Sequence, residues 1–133
     1  MTRVALGSLL LAALPAFGCE PALKGEGLHR AEGKQYVVAW RAEPAALHVS
    51  EFFAVEVAAC SKSRGAAPRE VRVDAVMPEH KHGMNYRPSV AAVGDGRFRA
   101  EGLLLHMPGL WEFRFDVRGA AGNEVVSERV SLR

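Results

Sequence analysis

Apolar and charged positions alternate most regularly over residues 110–118. Trp111, Phe113, Phe115 and Val117 take the odd positions, and Glu112, Arg114, Asp116 and Arg118 the even ones. A period of two sends successive side chains to opposite faces, so this segment is predicted as a strand with one buried and one solvated face. Val71, Val73 and Ala75 repeat the pattern against Glu70, Arg72 and Asp74, and residues 97–101 alternate again. Residues 35–41 form a β-rich run that ends before Pro44, and 48–60 carry Val49, Phe53, Val55 and Val57 at two-residue spacing over most of their length. A short strand is predicted over 87–93 and a last one over 125–132. Between them lie turn signals: the loop 61–68, Gly94-Asp95-Gly96, Pro108-Gly109 and 119–123. No amphipathic helical period follows the first twenty residues. The pattern predicts an all-β fold, an immunoglobulin-like antiparallel β-sandwich of about seven strands over residues 34–133. The Cys…Trp…Cys signature of antibody domains is absent, so the expectation concerns architecture alone.

The N-terminus reads as an address. Residues 1–18 combine Arg3 with an apolar stretch over 4–14, too short to span a bilayer, and read as a secretory signal peptide. The stretch Leu14-Pro15-Ala16-Phe17-Gly18-Cys19 resembles a bacterial lipobox, which makes Cys19 the lipidated residue. Residues 19–33 then serve as lipid anchor and flexible tether. Ordinary cleavage near the same point is the alternative. Both place the domain on the periplasmic side of the cell envelope, and Glu20, where Asp would signal inner-membrane retention, points to the outer membrane. Lipidation leaves Cys60 as a small buried hydrophobe, whereas a Cys19–Cys60 disulfide is the competing account.

Composition narrows the function. With 17 basic and 15 acidic residues the formal net charge is +2, too balanced for a protein that binds nucleic acid by neutralising phosphates. Two cysteines make neither a disulfide-rich scaffold nor a four-thiolate zinc site. No nucleophile elbow, Walker loop, dinucleotide fingerprint or His-Glu-x-x-His is present, and the chain is read as not an enzyme.

The chemistry concentrates in two short segments, 77–84 (MPEHKHGM) and 105–109 (LHMPG). Apart from Met1, every methionine of the chain, Met77, Met84 and Met107, falls there, with His80, His82 and His106. Imidazole and thioether together form a soft donor set that suits Cu(I) and, with more imidazole, accepts Cu(II); zinc disfavours thioether. His80, His82 and Met84 are spaced by two and would share one side of an extended chain. Adjacent His106 and Met107 can serve one ion only if Pro108 breaks the strand. The expected metal ligands are His80, His82, Met84, His106 and Met107. Met77 continues the buried phase of Val71, Val73 and Ala75 and is expected in the core, and His29 and His48 are expected to be incidental.

These residues resemble a known family. Met77-Pro78 followed by His80, then His82-Gly83-Met84, Pro88, Val93, Gly94, Gly96-Arg97-Phe98 and Met107-Pro108-Gly109-Leu110-Trp111-Glu112-Phe113 resemble the YtkA-like domain, related to the periplasmic part of FixH. The resemblance covers about a third of the chain. It implies an immunoglobulin-like sandwich and an association with copper handling or respiratory-oxidase assembly. The family often carries Met-Pro-x-Met-x-His; here Glu79-His80 follows Met77-Pro78, a histidine in place of the second methionine, which implies a more His-rich site. A more distant similarity is to periplasmic copper chaperones of the PCu(A)C type, through the 21-residue separation of Met84 and His106. The expected function is that of an extracytoplasmic copper-binding protein, a copper chaperone or oxidase-assembly accessory. It would hold Cu(I), or alternatively Cu(II), and pass it to a copper-acceptor protein of the envelope. The alternative expectation is a β-sandwich interaction module of an envelope lipoprotein that binds a protein and no metal.

Overall fold

The computed structural model describes residues 18–63 and 65–133. The leader read over residues 1–18 lies outside them but for Gly18. Among the described residues nine strands form two antiparallel sheets packed face to face. The strands are β1 (His29–Glu32), β2 (Tyr36–Glu43), β3 (Phe52–Ser61), β4 (Glu70–Met77), β5 (His82–Gly83), β6 (Ser89–Gly94), β7 (Arg97–Leu104), β8 (Gly109–Gly119) and β9 (Gly122–Leu132). One sheet runs β1-β2-β3-β7-β6 and the other β5-β4-β8-β9. The all-β sandwich is as expected, with nine strands in place of seven. No helix long enough and apolar enough to cross a membrane occurs among the described residues.

Alternation explains the core. Val71, Val73, Ala75 and Met77 of β4 and Trp111, Phe113, Phe115 and Val117 of β8 face Tyr36, Val38, Trp40 and Val55 of the opposite sheet. Met77 is therefore core, as its phase predicts. Trp40 stacks on Phe113 with ring centroids 4.5 Å apart. β7 changes phase part-way. Phe98 and Ala100 face inward, then Gly102 is skipped in the pairing with β3, and Leu103 and Leu105 face inward. Gly102 has φ +85°, the left-handed conformation of a bulge that glycine adopts without Cβ strain.

The segment read as a tether belongs to the fold. Leu23 packs on the outer face of β2 and β3 with Ala39 and Ala58, and residues His29–Glu32 pair with β2. This second covering makes Tyr36 to Trp40 buried on both sides, which matches their unbroken apolar run. Cys19 is bonded to Cys60 with Cα atoms 5.8 Å apart. This is the pairing that competes with lipidation of Cys19 for the same sulfur. Cys60 is correspondingly a disulfide partner and no free hydrophobe.

The two sheets are stitched along one seam by carboxylates. β9 turns Glu124, Val126, Glu128 and Val130 toward the same side as Leu132, so two acids lie on its inward face at the sheet edge. Glu128 accepts the Trp40 Nε1–H at 2.8 Å and lies 3.2 Å from His29 Nδ1, whose ring stacks on Trp40 at 4.2 Å. His29 is thereby a structural residue of this seam, not an incidental one. Glu124 accepts the backbone N–H groups of Lys34, Gln35 and Tyr36 at 2.5, 2.9 and 3.1 Å. Gly33 leaves room for it, since a Cβ there would lie 2.5 Å from the carboxylate.

Burial pushes the Glu124 carboxyl up, but the three backbone donors together outweigh it and hold it below the usual 4.5. A depressed carboxylate stabilises the fold above its ordinary pKa and ceases to do so as pH falls through its folded value. Glu124→Gln should therefore cost about 1–2 kcal/mol at neutral pH, allowing for partial solvent screening. The gap to the parent in thermal unfolding should close on acidification below the usual carboxylate range; a gap constant down to acid pH would contradict this role.

Candidate metal site

The two His/Met segments meet at one pole of the sandwich. The ends of β2, β4, β7 and β9 and the starts of β3 and β8 lie there. Pro78 ends β4, and residues Pro78 to Lys81 turn the chain back, with the His80 N–H donating to the Met77 carbonyl at 3.2 Å. Lys81 sits in the turn at φ +53°, a left-handed conformation costly for a residue with a Cβ. His82 then pairs with Met77 and Gly83 with Val76, and the Met84 N–H donates to the Ala75 carbonyl at 3.2 Å. His80, His82 and Met84 thus do not share one extended strand, as their spacing suggested. His80 belongs to the turn, and His82 opens the short β5.

The second segment joins the sheets. β7 ends at Leu104 and β8 begins at Gly109, so residues 105–108 are a connection and not a regular strand. This is the break that His106 and Met107 require in order to serve one ion. The connection is pinned twice: the Ser50 N–H donates to the Leu105 carbonyl at 2.8 Å, and Trp111 Nε1–H donates to the Met107 carbonyl at 3.0 Å.

The fold brings the three predicted histidines side by side. Ring centroids lie 5.8 Å apart for His80 and His82 and 5.1 Å for His82 and His106. The buried Trp111 stands edge-on to both, 6.1 Å from His82 and 5.5 Å from His106. Met84 and Met107 are half-buried and pack against the core, Met84 along the groove that Val71, Val73 and Val90 also line. His80 is exposed, and His82 and His106 are half-buried. The Nδ1 of His106 is buried and has no hydrogen-bond partner among the described residues. As placed, His80 stacks on His82 and His106 is tilted against it, and among the described residues no three His, Cys, Asp or Glu side chains form a ready metal-binding group.

No family model, curated protein or solved structure matches the chain. The likeness to the YtkA-like domain therefore rests on the motif residues themselves. Sequence reasoning passed over Trp111 as part of the site. Its indole walls two of the imidazoles and fixes the backbone of Met107, but its apolar phase in β8 marked it only as core.

Proposed function

We propose that this protein is an extracytoplasmic copper-binding protein that carries copper to an acceptor in the cell envelope. The observation that carries this reading is the orphaned Nδ1 of His106, set in a row with His82 and His80, on the two segments that also carry the half-buried Met84 and Met107. A buried polar nitrogen without a partner costs about 1–3 kcal/mol, and ligation is one way such a cost is offset. Neutral imidazole and thioether ligate Cu(I) without a proton having to move at sulfur. His80 is exposed and free to rotate, so it can close on an ion held by His82 and His106 and release it again. Ligand exchange at that exposed side passes the ion on. The Cys19–Cys60 disulfide supports an oxidising compartment.

Replacing His106 tests the reading with opposite signs in two measurements. His106→Leu removes the orphaned nitrogen and extends the apolar run of Leu103 to Leu105, so unfolding stability should rise by about 1 kcal/mol. Copper affinity should fall by more than about tenfold. Unchanged copper binding in this variant would exclude His106 as a ligand.

One observation favours the alternative, a protein-interaction module. Phe52 and Tyr86 are 59% and 48% exposed and touch edge-on with centroids 5.0 Å apart. An exposed aromatic pair is the kind of surface that partners cover. Capture of a protein through these rings should survive loss of the histidines and methionines, whereas copper transfer should not.

A further inference from the structure

The sandwich has four sheet edges, and three of them carry devices that block strand addition. β9 turns Glu124 and Glu128 inward. β6 is interrupted by a bulge between Ala92 and Gly94, and β1 has only four residues. Inward charge, bulges and brevity are recognised edge protections. β4 has none of them. Its strand partner on the outer side, β5, pairs only with Val76 and Met77, and Met84 takes the Ala75 carbonyl, so residues 70–74 form an open, regular edge with Val71 and Val73 turned inward. A groove of about 660 Å³ runs beside it, with Val71, Val73 and Val90 among its walls and Arg87 at its rim.

We propose that a second copy of this chain pairs with the β4 edge, antiparallel and about a two-fold axis at Val71. The backbone parity selects the register. Ala75 turns its carbonyl to Met84, so the alternate residues Val71 and Val73 turn theirs to the same open side. An axis at Val73 would place Val71 of the second copy opposite Ala75, whose carbonyl is taken by Met84 and whose N–H is taken by Asp74 Oδ1 at 2.8 Å. An axis at Arg72 would oppose two arginines and uses groups already bonded to β8. With Val71 on the axis, Glu70 faces Arg72 of the second copy and Arg72 faces its Glu70, so opposite charges pair across the strands twice. Arg69 falls opposite Val73 and already gives its N–H to the Arg118 carbonyl of β8 at 2.9 Å, so the full exchange of bonds is confined to the Val71 pair; Pro68 lies beyond it, opposite Asp74, where no N–H is needed on the open side. Within one chain Glu70 and Arg72 already touch at 2.8 Å, but both are exposed, and such a pair is readily exchanged. The charge pattern of the edge is thus complementary to itself, which favours a second copy over an unrelated strand.

Sedimentation of the disulfide-intact protein between about 1 µM and 1 mM tests this, a range suited to a small interface. The mass should rise toward twice that of the chain. Glu70→Arg alone and Arg72→Glu alone should each weaken association by about tenfold or more, because like charges then face each other. The two changes combined should restore it, and circular dichroism should show all three variants folded. A folded parent that stays monomeric throughout overturns the proposal and leaves the groove to a strand of another protein. A dimer indifferent to the single reversals also overturns it, since its interface lies elsewhere.

Discussion

Cys60→Ser should lower the unfolding free energy by about 4 kcal/mol, the chain-entropy value for releasing a loop of this size. The bond joins residues 41 apart in sequence and ties the start of the described chain to the C-terminal end of β3. Without it, Leu23 remains the main apolar anchor that holds residues 19–28 on the outer face of β2 and β3. The loss should appear in denaturant unfolding as a lower midpoint, and a reductant should lower the parent's midpoint equally. Copper affinity should be unchanged in oxidised and reduced protein alike once the free thiols are blocked. The disulfide and the His/Met row lie at opposite poles, since Phe52 begins β3 near the site and Cys60 ends it far away. A parent protein whose midpoint is insensitive to both reductant and Cys60→Ser would contradict the pairing and return the Cys19 sulfur to other uses.

Some parts of this structure could be read from the sequence and others could not. β4 and β8 were legible because each buries one face and solvates the other, so their side chains alternate without exception from Glu70 to Ala75 and from Trp111 to Arg118. β1 was not, because His29-Arg30-Ala31-Glu32 has a single small apolar residue; its strand geometry comes from pairing with β2. β5 is two residues long and exists only because the turn over Pro78 to Lys81 folds back on β4. β7 hides its phase change at Gly102, which a strict period of two cannot follow. β9 was read from Val125 and begins at Gly122, because its inward positions include Glu124 and Glu128, and acids disguise a buried face unless their distant partners are known. The site was legible as a cluster of residue types in two loops, since loops of a sandwich gather at its ends. Its inner geometry was not. The left-handed Lys81, the hydrogen bond from Trp111 to Met107 and the orphaned His106 nitrogen all depend on the meeting of the two sheets.

The second large effect concerns the ligands as a set. Changing His80, His82, Met84, His106 and Met107 together to Ala removes every His and Met of the two segments but the fully buried Met77, whose side chain fills the core beside Gly109, and leaves His48 near the ends of β2 and β9. The disulfide must be intact in parent and variant, because a free thiolate is itself a Cu(I) ligand and would mask the loss. Two of the five residues are exposed or loop-borne histidines, and none is among the fully buried side chains, so the sandwich should persist and its near-UV spectrum should stay that of a folded protein.

Anaerobic titration of Cu(I) against a chromophoric chelator, parent beside this quintuple variant, is the most direct measurement. The account predicts one copper bound per chain by the parent, in competition with the chelator, and none by the folded variant. A folded parent that leaves all the copper with the chelator, or a variant that competes as well as the parent, would contradict it.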